Sequence, residues 1–126
     1  MLGAKLGKVK KMQIGHKRMP DSGEGELVDV RFIFDETKLT PEEKMGFSGA
    51  AGETFSDTLK EYLQSKGINA TGGTHGKCIT TQTTAGGLEM NKGEYQVIFV
   101  MPGAEHQKMI NHQKKINSEL KATQLR

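Results

Sequence analysis

Cysteine, proline and tryptophan are scarce in this 126-residue chain, which contains one, three and none of them respectively. A single cysteine, Cys78, closes no intramolecular disulfide and supports no multi-cysteine zinc site, so an internally stapled secreted fold and a zinc finger are excluded. The prolines are too few, and the 16 glycines too irregular, for a proline-rich or collagen-like scaffold; the glycines instead predict many turns. No run approaches the roughly 18–20 apolar residues of a membrane span, the longest being Val97 to Met101. Lysines near the start precede no apolar stretch of the signal-peptide kind, and the expected location is the cytoplasm of the producing or a host cell.

What is present suits a small core. Hydrophobic residues make up 34% of the chain and mean hydropathy is −0.57, but the apolar residues fall in patterned runs, which predicts one folded domain at this length. The net charge of +3 is unevenly distributed: +6 over residues 1–20, −6 over 21–66 and +3 over 67–126. Residues 1–22 therefore read as a basic, flexible N-terminal arm and 23–126 as a single α+β domain. In the arm, Lys5, Lys8, Lys10, Lys11, Lys17 and Arg18 are candidates for contact with nucleic acid or an acidic partner, or they solubilise a loose end.

Residues 27–34 alternate, with Val28, Val30, Phe32 and Phe34 on one face and Leu27, Asp29, Arg31 and Ile33 on a mixed one, predicting a strand. Thr40, Pro41 and Glu43 supply a cap hydroxyl, a proline at the first helical position and a carboxylate three residues after the cap, so a helix starts there. Gly46, Gly49 and Gly52 weaken it by about 1 kcal/mol each in a helix interior and predict a break near 46–49. Beyond the break, Phe47, Ala51, Phe55, Leu59, Tyr62 and Leu63 form one apolar stripe, with Gly67 as the stop. Glu53, Asp57 and Glu61, four residues apart, stack on the opposite side as a solvated face or an acidic docking surface for a basic partner.

After Gly67 the pattern predicts a short strand at 68–71, a loop at 72–76, a strand at 77–84, a turn at Gly86 and Gly87, and at most a short edge strand at 88–90. Residues 94–101 are apolar on both faces, as in a central strand. From Ala104 to about Thr123 the pattern is helical, with Met109, His112, Ile116 and Leu120 on one stripe and Lys114 and Lys115 elsewhere as further candidate anion contacts. The expected fold is a two-layer α+β sandwich, a mainly antiparallel sheet with two helices on one face, ferredoxin-like or similar.

The densest cluster of reactive residue types is the segment 72–78. Its glycines and Lys77 fail the phosphate-loop spacing, and the segment leads to a strand where that motif needs a helix. His75 and Cys78 offer a base and a nucleophile with no evident orienting third group. His106 and His112 are six apart on the last helix, about 120° around its axis, and do not converge on one ion. No metal, cofactor or catalytic residue is expected. Nucleic-acid readout through aromatic platforms is not indicated, since Phe32, Phe34, Phe55 and Phe99 all lie in core patterns.

From Lys10 to about Thr81 the order of features resembles the YggL-like family of small ribosome-associated proteins. The match rests on Lys10, Lys11 and Met12 in a basic lead-in, Val28, Val30, Phe32 and Phe34 in a strand, Glu42 and Glu43 at a helix start, Phe55 and Asp57 within it, then Gly67, Gly72 and Gly73. The resemblance implies a non-enzymatic protein of the large ribosomal subunit. It departs in having a late strand and a C-terminal helix where that family has a tryptophan-containing tail. The leading expectation is a small non-catalytic binding protein, ribosome- or RNA-associated. The alternatives are a phage or mobile-element accessory protein that binds and inhibits a host protein, and a small enzyme using Cys78 and His75.

Overall fold

The computed structural model describes residues 5–124. In chain order its elements are β1 (Val9–Ile14), β2 (Leu27–Phe34), a 3-10 turn (Glu36–Lys38), α1 (Pro41–Met45), α2 (Ala50–Gln64), β3 (Thr74–Lys77), β4 (Gln82–Thr83), β5 (Glu89–Met90), β6 (Tyr95–Pro102) and α3 (Glu105–Gln124). Four strands form one sheet in the order β1-β2-β6-β3, every neighbouring pair antiparallel, and β4 pairs with β5 in a separate hairpin. The fold is α+β. Since β6 runs antiparallel to both β2 and β3, those two strands run parallel on either side of it, joined by the crossover through α2.

The period of two in β2 decides which face the helices cover. Val28, Val30, Phe32 and Phe34 join Val97, Phe99 and Met101 of β6 in one core with Phe55, Leu59 and Leu63 of α2 and Met109, Ile116 and Leu120 of α3. Each such side chain contributes about 1.5–3 kcal/mol by leaving water. Phe47 is central among the rings, edge-on to Phe34 at 5.1 Å and to Tyr95 at 5.3 Å and stacked on Phe55 at 5.5 Å. The capping box forms as its residue types predict: Thr40 Oγ1 accepts from the Glu43 amide at 3.1 Å, and Glu43 Oε1 accepts from the Thr40 amide at 2.8 Å. The glycine break is also present, with α1 ending at Gly46 and α2 beginning after Gly49. Gly52 is buried where α2 passes the Phe47 carbonyl and the His75 ring, so closely that a Cβ would collide with both.

Three sequence expectations differ from the structure. Residues 9–14 of the supposed arm are strand β1, paired with β2, with Val9 and Met12 buried; only two or three apolar residues spaced along a lysine-rich segment are needed to close an edge strand. Residues 68–71 are not a strand, although Ile68 and Ala70 are buried as the chain leaves α2. The expected strand over 77–84 is divided. Pairing with β6 selects Thr74–Lys77, within the expected loop, and the chain then turns away, with Cys78 and Glu94 joined by a backbone bond, before Gln82–Thr83 enters the hairpin.

The mixed face of β2 is covered too. Asp29, Arg31 and Ile33 are buried, and the β4-β5 hairpin lies against this side through Arg31 and through the His16 amide, which donates to the Gly86 carbonyl at 2.9 Å.

Candidate functional site

The reactive cluster of 72–78 does not assemble a catalytic pair. His75 Nδ1 donates to the Phe47 carbonyl at 2.8 Å, which turns the ring toward the helices. Cys78 lies on the hairpin side, buried, with its Sγ 3.5 Å from Arg31 Nη2. Strand alternation thus separates the two groups that an enzyme reading would need together. Among the described residues no group of three or more His, Cys, Asp or Glu side chains is placed to hold a metal ion, and His106 and His112 are half-buried on α3.

Arg31 is the centre of the hairpin side. Its guanidinium is wholly buried, and every N–H has an acceptor: Nε donates to Gln96 Oε1, Nη1 to Gln13 Oε1 at 3.1 Å and the Glu89 carbonyl at 2.9 Å, and Nη2 to Glu94 Oε1 at 2.8 Å and Cys78 Sγ. Burial pushes the Glu94 carboxyl up, but the hydrogen bond and charge of Arg31 and the Asn91 amide outweigh it and hold Glu94 below its ordinary range. All donors being engaged, this cluster ties β1, β2, β6 and the hairpin together and offers no free group to a ligand.

The arm and helix cations divide into engaged and open ones. Lys8 bonds Glu43 at 2.8 Å and Arg18 bonds Asp29 at 3.0 Å, while the Lys5 ammonium stands 5.8 Å from the centre of the Phe55 ring. Lys10 lines a cleft of about 490 Å³ with Asp35 and Glu94, and its charge helps to hold Asp35 below its ordinary value, after the hydrogen bond from Thr37. Lys115 acts on Glu119, although Lys66, bonded to Glu119 at 2.9 Å, is the larger influence there. Lys11, Lys17 and Lys114 are exposed and, among the described residues, have no carboxylate within ion-pair distance, as is also true of Lys121.

Two of these four open cations, Lys114 and Lys121, share one flank of α3, whereas Lys11 lies opposite Ile33 and alternates with the core residue Met12, on the hairpin side of the sheet with Gln13. α3 packs along β1, and Gln113 reaches the β1 edge, lining a hollow of about 290 Å³ with Met12, Gln13, Ile14 and the hairpin residues Gly87, Leu88 and Glu89. A second, shallow hollow of about 410 Å³ continues from Gln113 along the same flank, past Lys114, Asn117, Ser118 and Lys121. Glu89 is the one carboxylate in this double lining. The two acids of α3 both face elsewhere: Glu105 bonds the Asn69 amide and Lys108, and Glu119 accepts from Tyr62 and Lys66. The flank is basic because the helix has committed its negative charges to the opposite flank.

Glu53, Asp57 and Glu61 are exposed along α2, four residues apart and thus on one side of the helix. Sequence reasoning named Lys114 and Lys115 on the lysine-rich last helix but not the amide and hydroxyl groups that separate Lys114 from Lys121; a helical wheel of 105–124 carries that signal, since 114 and 121 are seven apart and nearly eclipsed. It missed Arg31 altogether, because nothing local marks an arginine in a strand as buried. No family model, curated protein or solved structure matches the chain.

Proposed function

We propose that this chain is a small non-catalytic binding protein that associates with RNA, in the setting of the large ribosomal subunit, through the β1 edge and the adjoining flank of α3. The observation that carries the reading is the open basic flank: Lys114 and Lys121 without ion partners among the described residues, beside neutral Gln113, Asn117 and Ser118. Lysines so placed neutralise phosphates and release counterions, the main source of affinity for nucleic acid. The ribosomal setting comes from the YggL-like order of features over residues 10–81. The chain path also supports a ferredoxin-like kinship: β2, α2 and β3 with β6 between them make a split β-α-β unit, and β1 supplies the fourth strand from the beginning of the domain rather than its end.

Sedimentation of lysate through a sucrose cushion tests this, with and without nuclease. The wild-type protein is expected in the ribosomal pellet before nuclease and in the supernatant after it. The double variant Lys114→Glu, Lys121→Glu is expected to remain in the supernatant throughout. Capture of a protein partner that resists nuclease and is lost in Glu53→Lys, Asp57→Lys would replace this reading with that of an inhibitor of a host protein, acting through the acidic side of α2.

A further inference from the structure

Resting on the RNA reading, we infer that the ligand of this flank is double-helical RNA, gripped by its backbone, rather than a single strand read by its bases. The first ground is the placement of the rings. The chain has five phenylalanines, two tyrosines and no tryptophan, and all seven rings are buried: Phe32, Phe34, Phe47, Phe55 and Phe99 in the core, with Tyr62 and Tyr95. Single-strand binders stack bases on exposed aromatic faces, each worth about 1–3 kcal/mol. This surface offers none, and among the described residues the arginines, the other common stacking group, are occupied. Arg31 is buried and Arg18 is held by Asp29 through two hydrogen bonds.

The second ground is the chemistry and shape of the flank. Lys114 and Lys121 lie two helical turns apart, a rise of about 10.5 Å, with Asn117 and Ser118 between them and Gln113 at the β1 end. Two ammonium groups set apart along a shallow surface, separated by groups that both donate and accept hydrogen bonds, suit phosphates on either side of a wide groove carrying 2′-hydroxyls. The A-form minor groove is wide and shallow and displays these hydroxyls; the B-form minor groove is narrow and lacks them. The surface is also not a channel that would enclose one strand.

The experiment is fluorescence anisotropy of the full chain against a labelled 20-base-pair RNA duplex, one of its strands alone, and a DNA duplex of the same sequence, each from 50 to 200 mM salt. The RNA duplex is expected to bind at least tenfold tighter than the single strand, and tighter than the DNA duplex. In the variant Lys114→Ala, Lys121→Ala the slope of log affinity against log salt should flatten by about 2, near 0.9 for each phosphate no longer neutralised, with unchanged thermal melting. The double variant Asn117→Ala, Ser118→Ala should lose the preference for RNA over DNA and keep the wild-type salt slope. Single-strand binding equal to or tighter than duplex binding would overturn the inference and leave the RNA reading standing. Equal binding of the DNA duplex by the wild type would overturn the assignment to RNA helices. Absence of binding to all three at 50 mM salt would overturn both.

Discussion

Arg31 has no exposed surface, and its guanidinium faces acceptors from five other residues spread between positions 13 and 96. An arginine so placed is costly to desolvate, and the cost is offset only while its acceptors remain, Glu94 foremost. Glu94 titrates below its ordinary value of 4.5 in the fold, and so do Glu43, Glu105 and Glu119. A carboxyl with a depressed folded value stabilises the protein fully above its unfolded value and loses that contribution as pH falls through the folded one. Urea unfolding is therefore expected to show constant stability from pH 7 to about 5 and a decline below it. Glu94→Gln should cost about 3 kcal/mol at pH 7, the usual consequence of leaving one partner of a buried pair, and should make the decline below pH 5 shallower. Equal steepness in wild type and variant would show that Glu94 has no part in it.

At the scale of elements, the β4-β5 hairpin acts as a cover. It has only two residues in each strand, and it holds to the sheet through the buried side chains of Leu88 and Met90 and through backbone contacts at Gly86 and Glu89. Cys78, 5% exposed beneath this side, reports on the cover. Its alkylation by a small maleimide should be slow in the native protein, and Leu88→Ala, which removes a buried anchor at about 2–5 kcal/mol, should accelerate it at least tenfold at a temperature where both proteins remain folded. An unchanged rate would mean that the thiol is reached without the hairpin moving. The elements legible in the sequence were those with a local cause: the Thr40 to Glu43 cap, the glycine break, the alternation of β2 and the doubly apolar β6. Those missed were decided across the chain. β3 takes its register from β6, so Thr74–Lys77 is extended although its glycine and histidine carry no strand preference. In the same way the candidate flank was half legible: the lysines of α3 were visible, but their nearness to β1 was not.

At the scale of the molecule, the segment from Leu6 to Ile14 is structural and the charge is sided. Leu6, Val9 and Met12 are buried in the common core, so the basic segment cannot be removed as if it were a tail. Deleting residues 1–14 is expected to abolish the cooperative thermal transition seen by circular dichroism, whereas Lys11→Glu, on the exposed side of β1, should shift the melting temperature by no more than about 4 °C, the equivalent of roughly 1 kcal/mol in a domain of this size. A truncated chain that still melted cooperatively near the wild-type temperature would show that β1 is dispensable. The charge segments of the sequence thus take on spatial meaning. Part of the basic excess near the start is neutralised by Glu43 and Asp29, and the open lysines of α3 lie on the flank turned away from Tyr62 of α2 and from Lys66 beyond its end.

The packing of α3 along β1 also has a bearing on synthesis. The strand made first shares its side of the core with the helix made last, so a nascent chain cannot close that side until the residues through Leu120 have cleared the exit tunnel. Contacts of such long sequence separation slow folding, and during that wait the edge of β1 stands open to other strands. Lys10 and Lys11, with the bulge where the pairing slips between Val9 and Lys11, make that edge a poor template for another chain. The lysines of β1 thus protect the strand that carries them while it waits for its partner.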